Sequence, residues 1–255
     1  MKEVLITALF SIGFNLFMFI PAFIYKTDKL TDISYALTFF TVAIFSYFRS
    51  GRDIVHTILL TAILLWSIRL GSFLYMRILR MKRDRRFDDK RDKFFKFMGF
   101  WIIQGITVPV VMVSTILVFT SDTPALTVPS FIGLAVFGSG LLIEAVADSQ
   151  KFKFSGDPTN KDKWIDSGIW SISRHPNYLG EIMVWSGLFL FGMASLSGAS
   201  VWVAAISPVY ITGLLLFVSG VPLLEKSADA KWGSDPKYQA YKKRTPVLVP
   251  FIGKK

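Results

Sequence analysis

The sequence predicts an all-α integral membrane protein, a bundle of seven transmembrane helices with the N-terminus outside and the C-terminus in the cytoplasm. Three observations support this fold class. The apolar residues, 52% of the 255, lie in long runs with few charges. The basic residues concentrate in alternate connections between those runs. The chain also contains 24 Phe, 8 Tyr and 7 Trp, and rings of this kind anchor helices at membrane interfaces.

Seven apolar runs define the predicted spans in order along the chain. Because a helix rises about 1.5 Å per residue and the hydrocarbon core is about 30 Å thick, roughly 20 residues are needed to cross it. The first run is too long for a signal peptide, so we expect it to stay as a permanent span. The sixth run is short and needs the residues from 176 onward. The runs cover residues 4–25, 33–48, 54–76, 97–119, 131–147, 182–196 and 201–224.

The basic residues in the connections predict the orientation. Residues 77–96 hold ten Lys and Arg, residues 150–175 hold five, and the segment after 225 holds eight, whereas 120–130 and 197–200 hold none. Because cytoplasmic loops carry an excess of Lys and Arg, the three basic segments are predicted to be cytoplasmic. The first of them also contains four Asp and is expected to be a solvated loop or a short helical excursion. The membrane is either the bacterial inner membrane or the endoplasmic reticulum.

The composition also excludes several function classes. The net charge of +11 flanks the spans rather than forming a groove interleaved with aromatic residues, so we expect contact with membrane lipids and no nucleic-acid partner. The chain has no cysteine, which removes disulfides, thiolate metal sites and thiol catalysis. With only two histidines besides, no metal site is predicted.

Ionisable residues in or beside the spans are functional candidates. Glu144 and Asp148 lie one turn apart near the cytoplasmic end of the fifth run, and Lys151 continues the same helix face. Arg69 lies within the third run. Such groups are costly in a bilayer and usually face a bundle interior or a watery cavity. The alternatives are a helix-end salt bridge for the acidic pair, and snorkelling or a structural partner for Arg69.

Neutral polar residues in the spans favour a structural interpretation. A single neutral polar side chain in a span more often bonds a neighbouring helix than a ligand, and we expect this of Asn15, His56 and Gln104. Gly138 and Gly140 lack the third glycine of a dinucleotide-binding fingerprint and follow no strand. They predict close packing between helices instead.

The segment 164–185 is the densest group of polar and aromatic residues. Pro176 fits the first turn of a helix, which places Arg174 and His175 at that helix's N-terminus. Free N–H groups and the positive end of the helix dipole lie there beside two potential cations. This arrangement predicts a site for a phosphate or pyrophosphate.

A polar stripe is predicted along the helix that follows. Asn177, Glu181 and Trp185 repeat at every fourth position and present an amide, a carboxylate and an indole to one side. Such a stripe can bond a carboxamide or a ribose and stack on a ring. The structural alternative is a polar helix start in which Glu181 offsets the helix dipole.

The motif at 168–181, Gly-Ile-Trp-Ser-Ile-Ser-Arg-His-Pro-Asn-Tyr-Leu-Gly-Glu, resembles the C-terminal domain of the steroid 5-alpha-reductase family. The resemblance extends over about residues 65–251 and is closer to a poorly characterised membrane branch that also carries Arg-Leu-Gly, here at 69–71. Its other matching positions are residues 144–151, Glu225, Tyr238, Tyr241 and residues 246–251.

The resemblance implies an NADPH-dependent membrane oxidoreductase acting on CH–CH groups. It would transfer a hydride to an activated C=C bond of a lipophilic steroid, sterol or enone lipid that reaches the site from the bilayer. One compact domain is expected, in which residues 1–53 supply two membrane helices and residues 54–255 form the reductase-like part with a cytoplasmic cofactor site. No obligate protein partner is inferred.

The resemblance also implies roles for individual residues. Asn177 and Glu181 match positions at the nicotinamide end, Asp148 matches the adenosine side, and Tyr238 and Tyr241 would close the pocket. The chain contains no Gln-Glu dipeptide such as the steroid reductases use, so the acid that polarises the substrate carbonyl is expected among other residues. The catalytic candidates are Glu181, Tyr178 and Arg69, and the cofactor-binding candidates are Asp148, Lys151, Lys153, Trp170, Arg174, His175, Asn177, Glu181, Trp185, Tyr238 and Tyr241.

Two other functions remain open. Isoprenylcysteine carboxyl methyltransferases and phospholipid methyltransferases also carry Arg-His-Pro-x-Tyr-x-Gly at the start of a membrane helix. There it binds S-adenosylmethionine, and the substrate is a lipid or a prenylated molecule. Asn177 and the acid at 181 favour the reductase. The third interpretation is a lipid-binding or scaffold protein with a degenerate pocket.

Overall fold

The structure is a computed structural model that describes residues 2–81 and 87–250. Several charged residues counted above lie outside the described residues: Lys82, Arg83, Asp84, Arg85, Arg86, Lys254 and Lys255. Within the described part of the chain all regular structure is helical. The α-helices are α1 (Lys2–Ile24), α2 (Lys29–Phe48), α3 (Ile54–Met81), α4 (Phe94–Val111), α5 (Val113–Phe119), α6 (Val128–Gly156), α7 (Pro176–Gly192), α8 (Ala199–Ala204), α9 (Ile206–Gly213), α10 (Val221–Trp232) and α11 (Pro236–Arg244).

Seven helical segments in the described residues are long and apolar enough to cross a membrane. This confirms the predicted helical class and the predicted number of spans, and it agrees with a multi-pass membrane protein. Ion pairs also connect the expected ends: Lys26, after α1, lies 3.4 Å from Asp92, before α4. Arg49, after α2, lies 2.7 Å from Glu3 at the start of α1. Which of these ends faces the cytoplasm stays a prediction.

The fourth run, predicted as one span, is broken at Met112 into α4 and α5. Pro109 lies inside α4 and has no N–H, so the carbonyl of Gly105, four residues earlier, loses its helical donor. Ser11 of α1 supplies the replacement, because its hydroxyl donates to that carbonyl at 2.8 Å. A proline is tolerated within a span when a neighbouring helix satisfies the freed backbone group in this way.

The last run, predicted as one helix over 201–224, consists of several short pieces. α8 ends at Ala204, and Pro208, without an N–H, cannot donate to the Ala204 carbonyl. A single π-helical turn, Leu214–Val218, follows α9. α10 then begins at Val221 with Pro222 in its first turn, where the missing donor costs nothing.

The chain divides into two compact units by its internal contacts. One unit runs to Phe131 and resumes over Leu188–Ser207, and the other comprises Ile132–Gly187 together with the chain from Pro208 onward. The expected division of the sequence at residue 53 stays a prediction about domain organisation.

In the first unit, α1 packs against α2 and α4, and α2 packs against α3. The core at one end of α1 is aromatic and includes Phe19, Phe97 and Trp101. Phe87, from the connection expected to be solvated, is only 2% exposed and belongs to this core. The connection is therefore anchored by a buried ring over part of its length.

A buried polar network joins α1, α2 and α4. The amide nitrogen of Asn15 donates to the Thr38 hydroxyl at 3.1 Å. The amide nitrogen of Gln104 donates to the Asn15 oxygen at 2.9 Å and to the Ser34 hydroxyl at 3.2 Å. The prediction that Asn15 and Gln104 bond neighbouring helices is confirmed.

His56 also has a structural role, as predicted. It is 1% exposed, and its Nε2 lies 2.8 Å from the carbonyl oxygen of Val118. Its Nδ1 lies 2.7 Å from one carboxylate oxygen of Asp53, and the other carboxylate oxygen accepts hydrogen bonds from the backbone N–H groups of Val55 and His56 at the start of α3. The ring therefore ties the start of α3 to the end of α5.

Replacing Asn15 by Leu tests the polar network. The apolar side chain keeps a similar size but leaves the Gln104 amide without one of its acceptors, and interhelical bonds in membranes contribute about 0.6–2 kcal/mol. We expect the free energy of unfolding in detergent to fall by about that amount. Thr41→Val is the control, because the Thr41 hydroxyl bonds only carbonyls of its own helix. Equal losses in the two variants would contradict this role.

In the second unit, α6 and α7 approach through glycines. A Cβ at Gly180 would lie 2.6 Å from the Gly140 oxygen and 2.8 Å from the Glu144 Cβ. The expected helix packing is therefore confirmed for Gly140, whereas a Cβ at Gly138 would meet nothing within 4 Å. The contact brings Glu144, which is 4% exposed, directly beside the start of α7.

Alanine substitutions at these glycines should have opposite effects. Gly180→Ala overfills a backbone contact and should lower the free energy of unfolding by about 1–3 kcal/mol. Gly138→Ala enters open space within a helix, where removing glycine stabilises by about 0.5–1 kcal/mol. Chemical unfolding in detergent measures both. Stabilisation by Gly180→Ala would show that the helices do not meet there.

Candidate functional site

The second unit contains a cavity of about 440 Å³. This volume lies within the range of small-molecule sites. Its walls come from the end of α6, the segment 160–175, α10 and α11. The charged and aromatic residues of its lining are Lys151, Phe154, Lys161, Asp162, Lys163, Trp164, Trp170, Arg174, His175, Glu225, Lys231, Trp232, Tyr238 and Tyr241.

Glu225 of α10 collects three basic groups on one side of the cavity. One carboxylate oxygen lies 3.0 Å from the Arg174 guanidinium and 3.5 Å from the Lys242 ammonium, and the other lies 2.8 Å from His175 Nε2. Lys242 also binds Asp229 at 2.6 Å. The carboxylate therefore connects the start of α7, α10 and α11.

The protonation of His175 follows from its burial. Burial lowers the pKa of His175, and the hydrogen bond to Glu225 only partly offsets this. The lowered pKa favours the uncharged ring, and in the tautomer that carries the proton on Nε2 this atom donates to Glu225, 2.8 Å away. The sequence suggested two cations at the start of α7. In the structure both side chains lie beside Glu225, whose carboxylate balances part of that positive charge.

Arg174 keeps hydrogen-bonding capacity toward a ligand. Its side chain is 10% exposed, and its buried Nε has no hydrogen-bond partner among the residues that the structure describes. A buried donor without an acceptor costs free energy, so an anionic group in the cavity would be stabilised at this atom.

Basic side chains are in excess around the cavity. Five basic residues, Lys151, Lys161, Lys163, Arg174 and Lys231, face two acidic ones, Asp162 and Glu225, leaving three positive charges in excess. Two of the lysines lie on aromatic rings: Lys151 Nζ is 4.8 Å from the ring centre of Trp170, and Lys231 Nζ is 4.8 Å from that of Trp232. The charge and the lining together suit an anion that carries flat rings.

Three rings form an aromatic wall. The Trp164 ring lies 5.3 Å from Tyr238 and 6.2 Å from Trp232, and Trp232 lies 6.0 Å from Tyr238. The buried Trp164 Nε1 donates no hydrogen bond within the described ranges. This wall therefore presents ring faces together with one indole donor.

The two tyrosines of α11 stay neutral. Burial raises the pKa of Tyr238 to about 12 and raises the pKa of Tyr241 further. The Tyr241 hydroxyl donates to the Trp170 carbonyl at 2.9 Å. Both residues can therefore donate hydrogen bonds at physiological pH but cannot act as bases.

The turn at 168–171 is fixed by α6. Gly168 has φ +60°, a conformation that favours glycine, and its neighbour Ile169 donates its N–H to the Gln150 side chain at 3.0 Å. The Trp170 indole donates to the Ala147 carbonyl at 3.1 Å. These bonds hold Trp170 at the cavity wall.

The profile of one protein family, described as "Protein of unknown function (DUF1295)", matches residues 18–245. The chain belongs to that family. Among curated proteins it is similar to one from Ustilaginoidea virens named "Probable O-methyltransferase ustE", with 35% identity over 69 residues, 27% of this chain and 24% of the relative. The chain thus matches about a quarter of that relative's length. No solved structure matches.

Six of the predicted site residues line the cavity. Arg174 and His175 precede α7, and the others come from α6, the 168–171 turn and α11. Their proposed contacts with a cofactor stay predictions. The six are Lys151, Trp170, Arg174, His175, Tyr238 and Tyr241.

The predicted stripe on α7 lies outside the lining of this cavity. Trp185 is fully buried, and Glu181 is half-buried. The buried side-chain oxygen of Asn177 accepts no hydrogen bond in the described part of the chain. Tyr178 stacks on His175, with ring centres 5.7 Å apart and planes at 10°.

Three further candidates also lie outside this lining. Asp148 is 7% exposed on α6, and Lys153 points to solvent two residues after Lys151. Arg69 belongs to the first unit. Whether these residues contribute to catalysis or cofactor binding stays a prediction.

The sequence analysis missed several residues of the cavity. Glu225 appeared only as a position of the resemblance, although an acid directly after an apolar run is itself a signal. Trp164 lies in the segment 164–185, but the sequence analysis predicted no function for it. Trp232 and Lys231 carried no local signal, because their place depends on how α10 folds back to residue 162.

The burial of His175 makes stability depend on pH. Its pKa is lower in the folded than in the unfolded chain, so the unfolded state binds more protons and stability is lost as the pH falls through the folded pKa. We expect the thermal midpoint to drop between pH 7 and pH 5 more steeply in the natural protein than in His175→Gln. If the thermal midpoint falls equally steeply with pH in both proteins, burial does not lower the pKa of His175.

Proposed function

We propose that the protein is an integral membrane NADPH-dependent reductase that transfers a hydride to an activated C=C bond of a lipophilic substrate. The excess of three positive charges in an aromatic-lined cavity carries the proposal. NADPH bears a pyrophosphate and a further phosphate, whereas S-adenosylmethionine bears no phosphate and has a cationic sulfonium. Charge complementarity therefore favours the dinucleotide.

Donors in the cavity fit the phosphates and the rings of such a cofactor. Arg174 Nε is buried and lacks an acceptor among described residues, and Lys161 and Lys163 lie on the same lining. Lysines and guanidinium groups form strong charge-assisted bonds with phosphate oxygens. The wall of Trp164, Trp232 and Tyr238 offers ring faces on which a base can stack.

The family supports the same class of protein. The family is linked to steroid 5-alpha-reductase-like membrane proteins. The resemblance assigns the nicotinamide end to Asn177 and Glu181, which follow the cavity residue Arg174 within two helical turns. The Asn177 oxygen, buried and without a donor in the described chain, is available to a carboxamide N–H.

In this proposal bound NADPH supplies a hydride to the β carbon of an enone, and one proton from solvent completes the reduction. Charge then develops on the carbonyl oxygen, and a hydrogen-bond donor there lowers the barrier. Tyr178, on α7 of the same unit, supplies this donor. Glu225 is a positioning residue, because its carboxylate holds the Arg174 and His175 side chains in place.

The proposal predicts selective stabilisation by NADPH. Because a ligand that binds only the folded state raises its stability, thermal unfolding of the purified protein is measured with NADPH, NADH and S-adenosylmethionine in parallel. We expect a larger rise with NADPH than with NADH and none with S-adenosylmethionine.

A charge-removal pair sharpens this test. The double variant Lys161→Gln/Lys163→Gln should weaken NADPH binding about two- to thirty-fold, since each exposed ion pair contributes about 0.2–1 kcal/mol. Lys237→Gln is the control, because Lys237 is exposed and outside the lining. An equal NADPH affinity in all three proteins would contradict the assignment of the cavity.

A second candidate is an S-adenosylmethionine-dependent methyltransferase acting on a lipid or prenylated substrate. The local similarity to a protein named as an O-methyltransferase favours it, although that match covers only 69 residues. In this case a methyl group would move from the sulfonium to a substrate oxygen, releasing S-adenosylhomocysteine. If S-adenosylmethionine raises the thermal stability of the protein and NADPH does not, the reductase proposal is wrong and the methyltransferase is favoured.

A further inference from the structure

Two segments of the second unit meet at the rim of its cavity. Lys161, Asp162 and Lys163 line the cavity and are also exposed to solvent. Lys231, near the end of α10, has the same two properties. A residue that borders the cavity and the solvent at once lies at the rim, so these residues separate the cavity from the outside. We call residues 161–163 the strap.

Asp162 joins the strap to α10 through two contacts. Its carboxylate lies 2.9 Å from the Lys231 ammonium, and its backbone carbonyl accepts a hydrogen bond from the Trp232 indole at 2.6 Å. Within the described residues, the backbone N–H groups of Lys161 and Lys163 bond only nearby carbonyls, those of residues 158 and 160. The two Asp162 contacts therefore act as a latch between the strap and α10.

The strap lies between two anchored points of the chain. Before it, the Asn160 side chain donates to the Phe154 carbonyl of α6 at 3.2 Å. After it, Trp164 belongs to the aromatic wall, with its ring 5.3 Å from that of Tyr238. The three residues between these points can therefore move when the Asp162 contacts break, while both anchors stay in place.

Two properties of the latch make it easy to open. Asp162 has φ +62°, a left-handed conformation that costs free energy in residues other than glycine, although Asp and Asn tolerate it best. Its ion pair is also exposed, since the Lys231 and Asp162 side chains are 49% and 70% accessible. Exposed pairs contribute little to stability, because water and salt screen them. The latch can therefore break locally while the rest of the unit stays folded.

We propose that the strap opens and closes over the cavity, that the Asp162 contacts are its latch, and that the ligand enters and leaves past it. Lys161 and Lys163 move with the strap, so its closure brings two ammonium groups to the phosphates of an anionic ligand. The identity of that ligand rests on the proposed function, whereas the latch does not depend on it.

Limited proteolysis of the unliganded protein tests the latch. Trypsin can cut the strap after Lys161 and after Lys163, and cleavage of a folded chain requires local opening. Lys231→Gln removes the ion pair and should make cleavage at these two bonds about 1.5- to fivefold faster, the factor that one exposed pair gives. Lys231→Arg keeps the pair and should be cleaved like the natural protein.

A matched control and a double variant complete this test. Lys226→Gln removes the same charge from an exposed position of the same helix, outside the cavity lining, and should not change the cleavage rate. Lys231→Gln/Trp232→Phe removes both contacts but keeps a ring in the wall, and cleavage should be about tenfold faster than in the natural protein. Equal rates in Lys231→Gln and Lys226→Gln would overturn the latch.

Stopped-flow measurement of NADPH release, followed by nicotinamide fluorescence, tests whether the strap controls exchange. Asp162→Asn removes the ion pair and keeps a residue type that tolerates the left-handed conformation. Losing a negative charge would by itself hold an anion more tightly and slow its release. We expect the opposite, with release about 1.5- to fivefold faster and association faster as well.

Asp166→Asn is the charge control for release. Its carboxylate lies outside the cavity lining in an exposed pair with Arg244, so the release rate should stay unchanged. Slower or unchanged release in Asp162→Asn would show that ligand does not pass the strap. If NADPH does not bind the natural protein at all, the proposed function and the control of its exchange are both wrong, and the cleavage rates still decide the latch.

Discussion

The carboxylate of Glu225 is the interaction on which the cavity depends. It lies within 3.0 Å of Arg174 and 2.8 Å of His175, and Lys242 of α11 completes the cluster at 3.5 Å. Arg174 and His175 are nearly buried, so each needs an acceptor within the fold. Removing one member of a buried ionic cluster leaves the others desolvated and unbalanced, which costs more than the pair contributes when intact.

Two hydrogen bonds to backbone carbonyls reinforce this cluster. The N–H of Arg174 donates to the Pro246 carbonyl at 3.0 Å, and the Thr245 hydroxyl donates to the Ser171 carbonyl at 3.3 Å. The segment after α11 is thereby bound to the segment before α7. The cavity wall is consequently built from parts that lie some 70 residues apart in the sequence, with Tyr241 and Trp170 joined across it.

The glycine contact between α6 and α7 sets a second constraint. Because Gly140 and Gly180 bring the two backbones together, Glu144 lies beside the first turns of α7. Neither helix can move there without opening a contact that only glycine permits. The contact therefore places the residues near Gly180, the predicted catalytic candidate Glu181 among them, on two closely packed helices.

Hydropathy predicted the spans well, because burying apolar residues in lipid is the dominant constraint on such a chain. The neutral polar residues within the spans predicted that Asn15 and Gln104 bond neighbouring helices, although not which residues they bond. The break at Met112 was missed, because hydropathy does not register the effect of a proline. Pro109 frees the Gly105 carbonyl, and the Ser11 hydroxyl on another helix donates to it.

The candidate site was predictable only in part. The local motif predicted that Arg174 and His175 lie before a helix, and both line the cavity. Their pairing with Glu225, 50 residues away, has no local signal, so the sequence overstated the free positive charge at this point. The aromatic wall was missed for the same reason, because Trp164 and Trp232 meet only in the folded chain.

Hydrogen–deuterium exchange of Glu225→Gln tests the central role of this carboxylate most directly. Exchange rates in residues 168–177 and 236–246 should rise together by about tenfold. This is the effect of lowering the free energy of local opening by about 1.4 kcal/mol. Asp166→Asn is the control, because its pair with Arg244 is exposed and 3.4 Å long. A change confined to α10, or equal changes in both variants, would contradict the account.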